Sequence, residues 1–234
     1  MNLNHVRRMS KLQRREQLLT AALMMVREQG TEELTLCSLA QRVGITHTVA
    51  YRHFVTRAGL LIALYERLDA QQLEILSAKL KLAGPHLKQI AIAVSDAYVT
   101  GAIEVGVEWQ ALQAALEGNE EMSTISRKLT DVHVAICQDA LAPYSRLSSD
   151  QLHLRCIGFL GAARVIAAEL ICGHIERVEA AVTLTALILC WLTPADARVQ
   201  ACPPEGPCFI GKDIDVALEG GHRHSLDWAR TRAR

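Results

Sequence analysis

Residues 35–60, TLCSLAQRVGITHTVAYRHFVTRAGL, constrain the fold more than any other stretch of the chain. Leu36, Leu39, Ala40 and Val43 fall at i, i+3, i+4 and i+7, one apolar stripe on a helix of about two turns, and Thr35 is placed to cap it. Gly44 follows, where a left-handed residue closing a helix is least strained as glycine, and Ile45 can bury against the helix just ended. The chain must turn here. Thr46 then offers its hydroxyl to the free amides of a second short helix, and a turn of about three residues between two helices is the spacing of a helix-turn-helix.

The second helix is the reading element. At about 100° per residue, His47, Thr48, Tyr51 and Arg52 share its outer face, Val49, Ala50 and Phe54 lie toward the protein, and His53 leans inward. A polar, aromatic and cationic outer face beside a small apolar inner one suits a helix that docks on its scaffold and enters a major groove. Thr56 next caps a long helix whose first residue is Arg57. A cation there opposes the helix dipole, and a DNA phosphate would compensate it. The competing readings are that Tyr51 is a surface aromatic closing a three-helix bundle and that Arg57 is a solvated cation.

These residues resemble the tetracycline-repressor (TetR) family of bacterial transcription regulators. The resemblance rests on the upstream helix RREQLLTAALMMVREQG (residues 14–30), Thr35, Leu39 and Ala40, the Gly44-Ile45-Thr46 turn, Tyr51, His53 and Phe54, Thr56 and Arg57, and Leu60 and Leu61. It covers about the first quarter of the chain; beyond that only the helical layout agrees. It implies that the second helix reads bases, that Tyr51 and His53 touch DNA and that Arg57, where the family usually has lysine, holds a phosphate. Cys37 departs from the polar or basic residue that often adds a contact from the preceding helix, and Gly59 lowers helix propensity by about 1 kcal/mol relative to alanine. The DNA-binding set is thus Thr35, Thr46, His47, Thr48, Tyr51, Arg52, His53 and Arg57.

Charge follows the same division. Residues 1–68 hold ten Lys and Arg against five Asp and Glu, a net of +5; residues 69–192 hold nine against fourteen, a net of −5; residues 193–234 balance at six each. A basic module on an acidic body is what a protein with one nucleic-acid face needs, because neutralised phosphates release counterions. Arg7, Arg8, Lys11, Arg14 and Arg15 read as an N-terminal arm that adds phosphate contacts or stays solvated.

Half of the residues are apolar, enough for a sizeable core, and residues 56–192 contain only Pro85 and Pro143. This predicts an all-α body: a helix from Thr56 to the Gly84-Pro85 stop, then helices at 87–104, 107–117, 120–141, 149–171 and 176–192. The division expected is 1–68 for DNA binding, 69–192 for ligand binding and dimerisation, and 193–234 as a mostly irregular tail. Gly158, Gly161, Ala162, Ala163, Ala167 and Ala168 on the first of the last two helices allow close packing against a second copy, and in the family this pair resembles a dimerisation bundle; the other reading is two ordinary core helices.

A pocket between helices is expected within 87–172, with Tyr98, Trp109, Leu112, Met122, Ile125 and Phe159 as ligand-binding candidates and a small, largely apolar ligand of unknown identity. No cofactor or metal is expected: Cys202 and Cys208 lack the short zinc spacing, and His222 and His224 read as solvated. The other five cysteines read as small core residues. The apolar run 181–192 is too short to cross a bilayer and the basic N-terminus holds no signal, so no membrane partner and a cytoplasmic location are expected. No phosphate loop, H-E-x-x-H, G-x-S-x-G or paired-carboxylate motif appears, and His133 and His153, without an identifiable nucleophile or ligand partner, read as satisfied core or surface histidines, so an enzyme site has little support. The expectation is a homodimeric repressor released by its ligand from a palindromic or near-palindromic double-stranded DNA operator; the alternative is a helical structural or protein-binding module without sequence-specific DNA binding.

Overall fold

The computed structural model describes residues 9–117 and 120–192, which belong to one compact unit. Arg7, Arg8, Cys202, Cys208, His222 and His224 lie outside the described residues. The described residues are helical, without strands: α1 Lys11–Gln29, α2 Leu36–Val43, α3 His47–Phe54, α4 Arg57–Leu82, α5 Leu87–Val105, α6 Val107–Glu117, α7 Glu120–Leu141, α8 Ser149–Ile171 and α9 Arg177–Trp191. The architecture is an N-terminal three-helix module containing the helix-turn-helix, followed by a larger helical body.

Local chemistry explains most boundaries. Ser10 and Gln13, Thr35 and Ser38, and Ser148 and Gln151 form reciprocal capping boxes that open α1, α2 and α8, and the Thr56 hydroxyl accepts the Gly59 amide to open α4. Ser10 starts α1 early, so Lys11, Arg14 and Arg15, expected in an arm, stand in its first turns. Thr46 takes the N-cap backbone of α3 but makes no side-chain cap, contrary to expectation; its exposed hydroxyl is left free. Gly44 closes α2 at φ 70°, ψ 38°, the left-handed geometry that the turn required. Gly106, at φ 71° and ψ −147°, lets the chain bend by 92° between α5 and α6, a conformation open to glycine and little else.

Two cores divide the unit. The first gathers Leu18, Leu34, Leu39, Ala50, Phe54 and Leu60 with Leu112, Leu116 and Met122, so α6 packs into the core of the helix-turn-helix. The second gathers Leu76, Val94, Cys137, Cys156, Phe159, Leu184 and Ile188. Helix α4, about 39 Å long at 1.5 Å per residue, places its front half in one and its rear half in the other. It is therefore one continuous element shared by both cores.

Ion pairs reinforce the layout. Asp96 on α5 accepts from Lys79 on α4 and Arg177 on α9, and Arg42 grips Glu28 with two bonds of 2.7 and 2.8 Å. Beside the first core, Arg27 on α1 meets Glu108 on α6 at 2.6 Å, while the second carboxylate oxygen of Glu108 is buried without a hydrogen bond. The cysteine expectation holds only for Cys137 and Cys156; Cys37 on α2, Cys172 just after α8 and Cys190 on α9 are exposed. Burial pushes the Cys137 thiol up to about 12 and that of Cys156 up to about 11, which keeps both protonated. No single described helix is long and apolar enough to cross a membrane.

Candidate DNA interface and body cavity

Helix α3 is held by two inward residues, Ala50 at 0% and Phe54 at 4% exposure, while Thr46, His47, Thr48, Tyr51 and Arg52 all stand exposed. Tyr51 leaves 48% of its surface in solvent, a large aromatic with no cover on the same face as Arg52 and Thr48. Thr35 is exposed one helix earlier. Arg15 on α1 secures the end of the reader: its guanidinium lies 4.9 Å from the Phe54 ring centroid and donates to the His53 carbonyl at 3.3 Å. His53 is half-buried beside this group, and burial, then the charges of Arg15, Lys11 and Arg14, hold its imidazole below the usual histidine value. It is thus a neutral side chain in a cationic corner.

The turn from α3 to α4 is tight. The Thr56 amide donates to the Phe54 carbonyl at 2.6 Å across Val55, whose φ of 64° and ψ of −51° make a strained γ-turn on a β-branched residue. This brings the Phe54 carbonyl over the first turn of α4, where a Cβ on Gly59 would lie 2.3 Å from the oxygen. The glycine that weakens helix propensity is the one residue that lets the reader sit against α4.

Arg57 differs from the sequence expectation. Its Nε donates to the Leu34 carbonyl at 2.9 Å and its Nη2 to the Thr31 carbonyl at 2.6 Å, with Glu32 at 3.8 Å. The compensation assigned to DNA thus comes from inside the protein: carbonyls of the loop before α2 offset the cation at the start of α4. The side chain stays 39% exposed, with guanidinium donors to spare.

In the body, a cavity of about 610 Å³ lies between α4, α5, α6, α7 and α8. Of the six candidates, Tyr98 and Trp109 line it. Leu112 and Met122 are buried in the first core, Phe159 packs edge-on to Tyr98 at 5.6 Å within the second, and half-buried Ile125 lies off the lining. Trp109 stacks on Tyr65 at 4.8 Å, which makes an aromatic wall.

Sequence reasoning missed the polar wall opposite. His133 is buried, its Nε2 3.0 Å from Asp69 Oδ1 and its Nδ1 2.9 Å from the Tyr98 hydroxyl, so it has the partners that the sequence did not reveal. Burial, then nearby Cys137 and Asp69, drive the Tyr98 hydroxyl well above its usual pKa, so it stays protonated; it shares a hydrogen bond with Nδ1, while Nε2–H donates to the Asp69 carboxylate. Gln72 donates to the Ala97 carbonyl at 3.2 Å and its own carbonyl fills the space that a Cβ on Gly101 would take. These bonds tie α4 to α5 and α7. A polar pair, Asp69 and Gln72, inside the Leu68 and Leu76 stripe was the available signal. His153 is exposed and meets Gln138 at 3.2 Å.

On α8 and α9, Leu154, Ile157, Val165, Val178 and Val182 are exposed apolar side chains, with Val165 at 63% and Val178 at 70%. Gly161 among them has open space above it.

Comparison with known proteins bears on both regions. Residues 18–64 match the family described as bacterial regulatory proteins, tetR family. The nucleoid occlusion factor SlmA of Haemophilus influenzae is 31% identical over 70 residues, 30% of this chain and 32% of SlmA, so the match spans about a third of that relative. A Rhodococcus sp. protein provisionally assigned to the TetR family of transcriptional regulators superimposes with a TM-score of 0.65 at 19% identity, over 79% of this chain and 100% of its own. A Pseudomonas aeruginosa PAO1 protein provisionally assigned as a transcriptional regulator does so with a TM-score of 0.70 at 14% identity, over 82% of this chain and 98% of its own.

Proposed function

We propose, for a chain whose DNA-binding module is of the TetR family of bacterial regulators and whose fold is TetR-like, that it is a homodimeric repressor released from a palindromic or near-palindromic operator by a small molecule. In this reading residues 1–68 bind DNA and residues 69–192 bind ligand and dimerise. The observation that carries it is the outer face of α3: His47, Thr48, Tyr51 and Arg52 stand free together while Ala50 and Phe54 anchor the helix from behind. A helix so presented fits a major groove, with His47 and Thr48 reading base edges and Tyr51 and Arg52 bridging bases and phosphates. Thr35 and Thr46, exposed at the N-termini of α2 and α3, add phosphate contacts where amides and dipoles favour an anion. His53 and Arg57 flank these as further backbone contacts, Arg57 with the donors that the loop carbonyls leave over.

Dimerisation is supported by the uncovered apolar face of α8 and α9, which a second copy related by two-fold symmetry would bury. Ligand release is supported by the cavity, since its walls include α4 and α6, both continuous with the core of the DNA module. A coupling of about 1–3 kcal/mol changes operator affinity about 5- to 150-fold. Sequencing duplex fragments retained by the purified protein, together with sedimentation, tests the reading. One enriched two-fold-symmetric site bound by two subunits is expected. A monomer with no preference over random duplex would reject it in favour of a helical module that binds another macromolecule.

A further inference from the structure

The cavity's polar groups fall into two sets. On one side Asp69, His133, Tyr98 and Gln72 are bonded to one another or to the backbone. The other set is unpaired. Gln110 on α6 lines the cavity with its Nε2 wholly buried and without a hydrogen bond, and a buried donor left unmade costs about 1–3 kcal/mol unless something accepts from it. Arg164 on α8 lines the same space, and among the described residues no carboxylate pairs with it. The acid in the lining, Asp69, is already held by His133. Arg164 is thus the unpaired cation of the lining, and Gln110 and Gln113 add uncommitted amides beside it, set among apolar groups: the Tyr65 and Trp109 stack, Val105 and Leu160.

The geometry points to an amphipathic monocarboxylate as the ligand, its carboxylate accepting from Gln110 and Arg164 and its apolar body lying against the aromatic wall. A purely apolar molecule would leave Gln110 stranded, and a cation would face Arg164. An isolated carboxylate would otherwise keep its water; a guanidinium replaces that hydration with short, charge-assisted bonds. The volume of about 610 Å³ suits either a medium-length alkanoate or a two-ring aromatic acid, which share this chemistry.

The inference rests on the ligand-responsive reading, and the test separates the two. Titration calorimetry of the full chain with decanoate, methyl decanoate and decylamine, and with 2-naphthoate and its methyl ester, compares the charge types and the two kinds of acid. At least one acid should bind about tenfold or more tighter than its ester and than the amine. Arg164→Gln, at an exposed position that leaves folding intact, should weaken that acid about 10- to 100-fold, and Gln110→Leu about fivefold or more, with ester binding unchanged in both. Thermal unfolding checks that each variant is folded. Equal affinity for acid and ester, tighter binding of the amine, an unchanged acid-to-ester ratio in Arg164→Gln, or no binding of any probe would overturn the assignment. The same probes are added to the protein on its retained duplex. An acid that binds without releasing DNA keeps the carboxylate site and rejects induction, whereas release by ester or amine alone keeps induction and rejects the carboxylate.

Discussion

Removing Arg27 isolates the contribution of its ion pair with Glu108, which joins α1 to α6. Glu108 is 6% exposed, its Oε1 is held by Arg27 at 2.6 Å, and its Oε2 has no hydrogen bond, so Arg27→Ala leaves a buried carboxylate with nothing bound to either oxygen. Stranding a buried charge costs about 3–5 kcal/mol, whereas an exposed pair contributes about 0–1 kcal/mol. Arg27 is 63% exposed, so water screens one partner and the expected loss lies between these limits, at about 2 kcal/mol. For a chain of this size that lowers Tm by about 4–8 °C. Glu108→Gln should cost less, about 1 kcal/mol, because it removes the buried charge while leaving an amide oxygen to accept from Arg27. The double variant should then resemble Glu108→Gln alone, a coupling of about 2 kcal/mol. Thermal and urea unfolding of the four proteins completes the cycle. Arg27→Ala within about 0.5 kcal/mol of wild type, or strict additivity, would refute the reasoning.

Gly59→Ala should destabilise the protein by about 1–3 kcal/mol despite its better helix propensity, since the new Cβ meets the Phe54 carbonyl; a rise in Tm would show that the turn yields freely. Arg57→Ala should lower the salt slope of duplex binding by roughly one, uniformly over sequences, and also lower Tm, because it frees the Leu34 and Thr31 carbonyls; an unchanged slope would leave only the anchoring role. His53 has a depressed pKa in the free protein, and a phosphate beside it would raise that value, so DNA binding should take up a proton and tighten as pH falls below about 6.5. In folding the sign is opposite: the unfolded chain binds this proton more readily, so His53 lowers stability as pH falls through the same range. His53→Gln should flatten both profiles, and fluorescence anisotropy with a labelled duplex, followed against pH, checks the first.

The helices were legible because the chain marks its own stops. Gly44, Gly84-Pro85 and Pro143, read with the 3.6-residue apolar stripes, place element ends within a few residues of those observed. The reader's inner and outer faces were legible for the same reason, since eight residues at helical period leave little freedom. The polar wall of the cavity was not. Asp69 and His133 are 64 positions apart, and only the packing of α7 against α4 makes them partners. Arg57 misled for a related reason: propensity and dipole rules see a cation at a helix start but not carbonyls that a loop 23 and 26 residues earlier folds against it. The ligand candidates Leu112 on α6 and Met122 on α7 met the first core instead, because both helices pack there as well as in the body.

That double service of α6 restricts how such a chain can diversify. Eleven residues carry Glu108 toward α1 on one side and Trp109, Gln110, Gln113 and Ala114 toward the cavity on another, with Leu112 and Leu116 sunk between them. A lineage that altered this helix to accept a different molecule would disturb the seating of its DNA module in the same step. Variation confined to α8, which lines the cavity through Leu160, Arg164 and Ile171 and packs mainly on α5, α7 and α9, is less bound by that linkage. New chemical tastes should therefore accumulate first along α8, with α6 changing late and in concert with residues on α1.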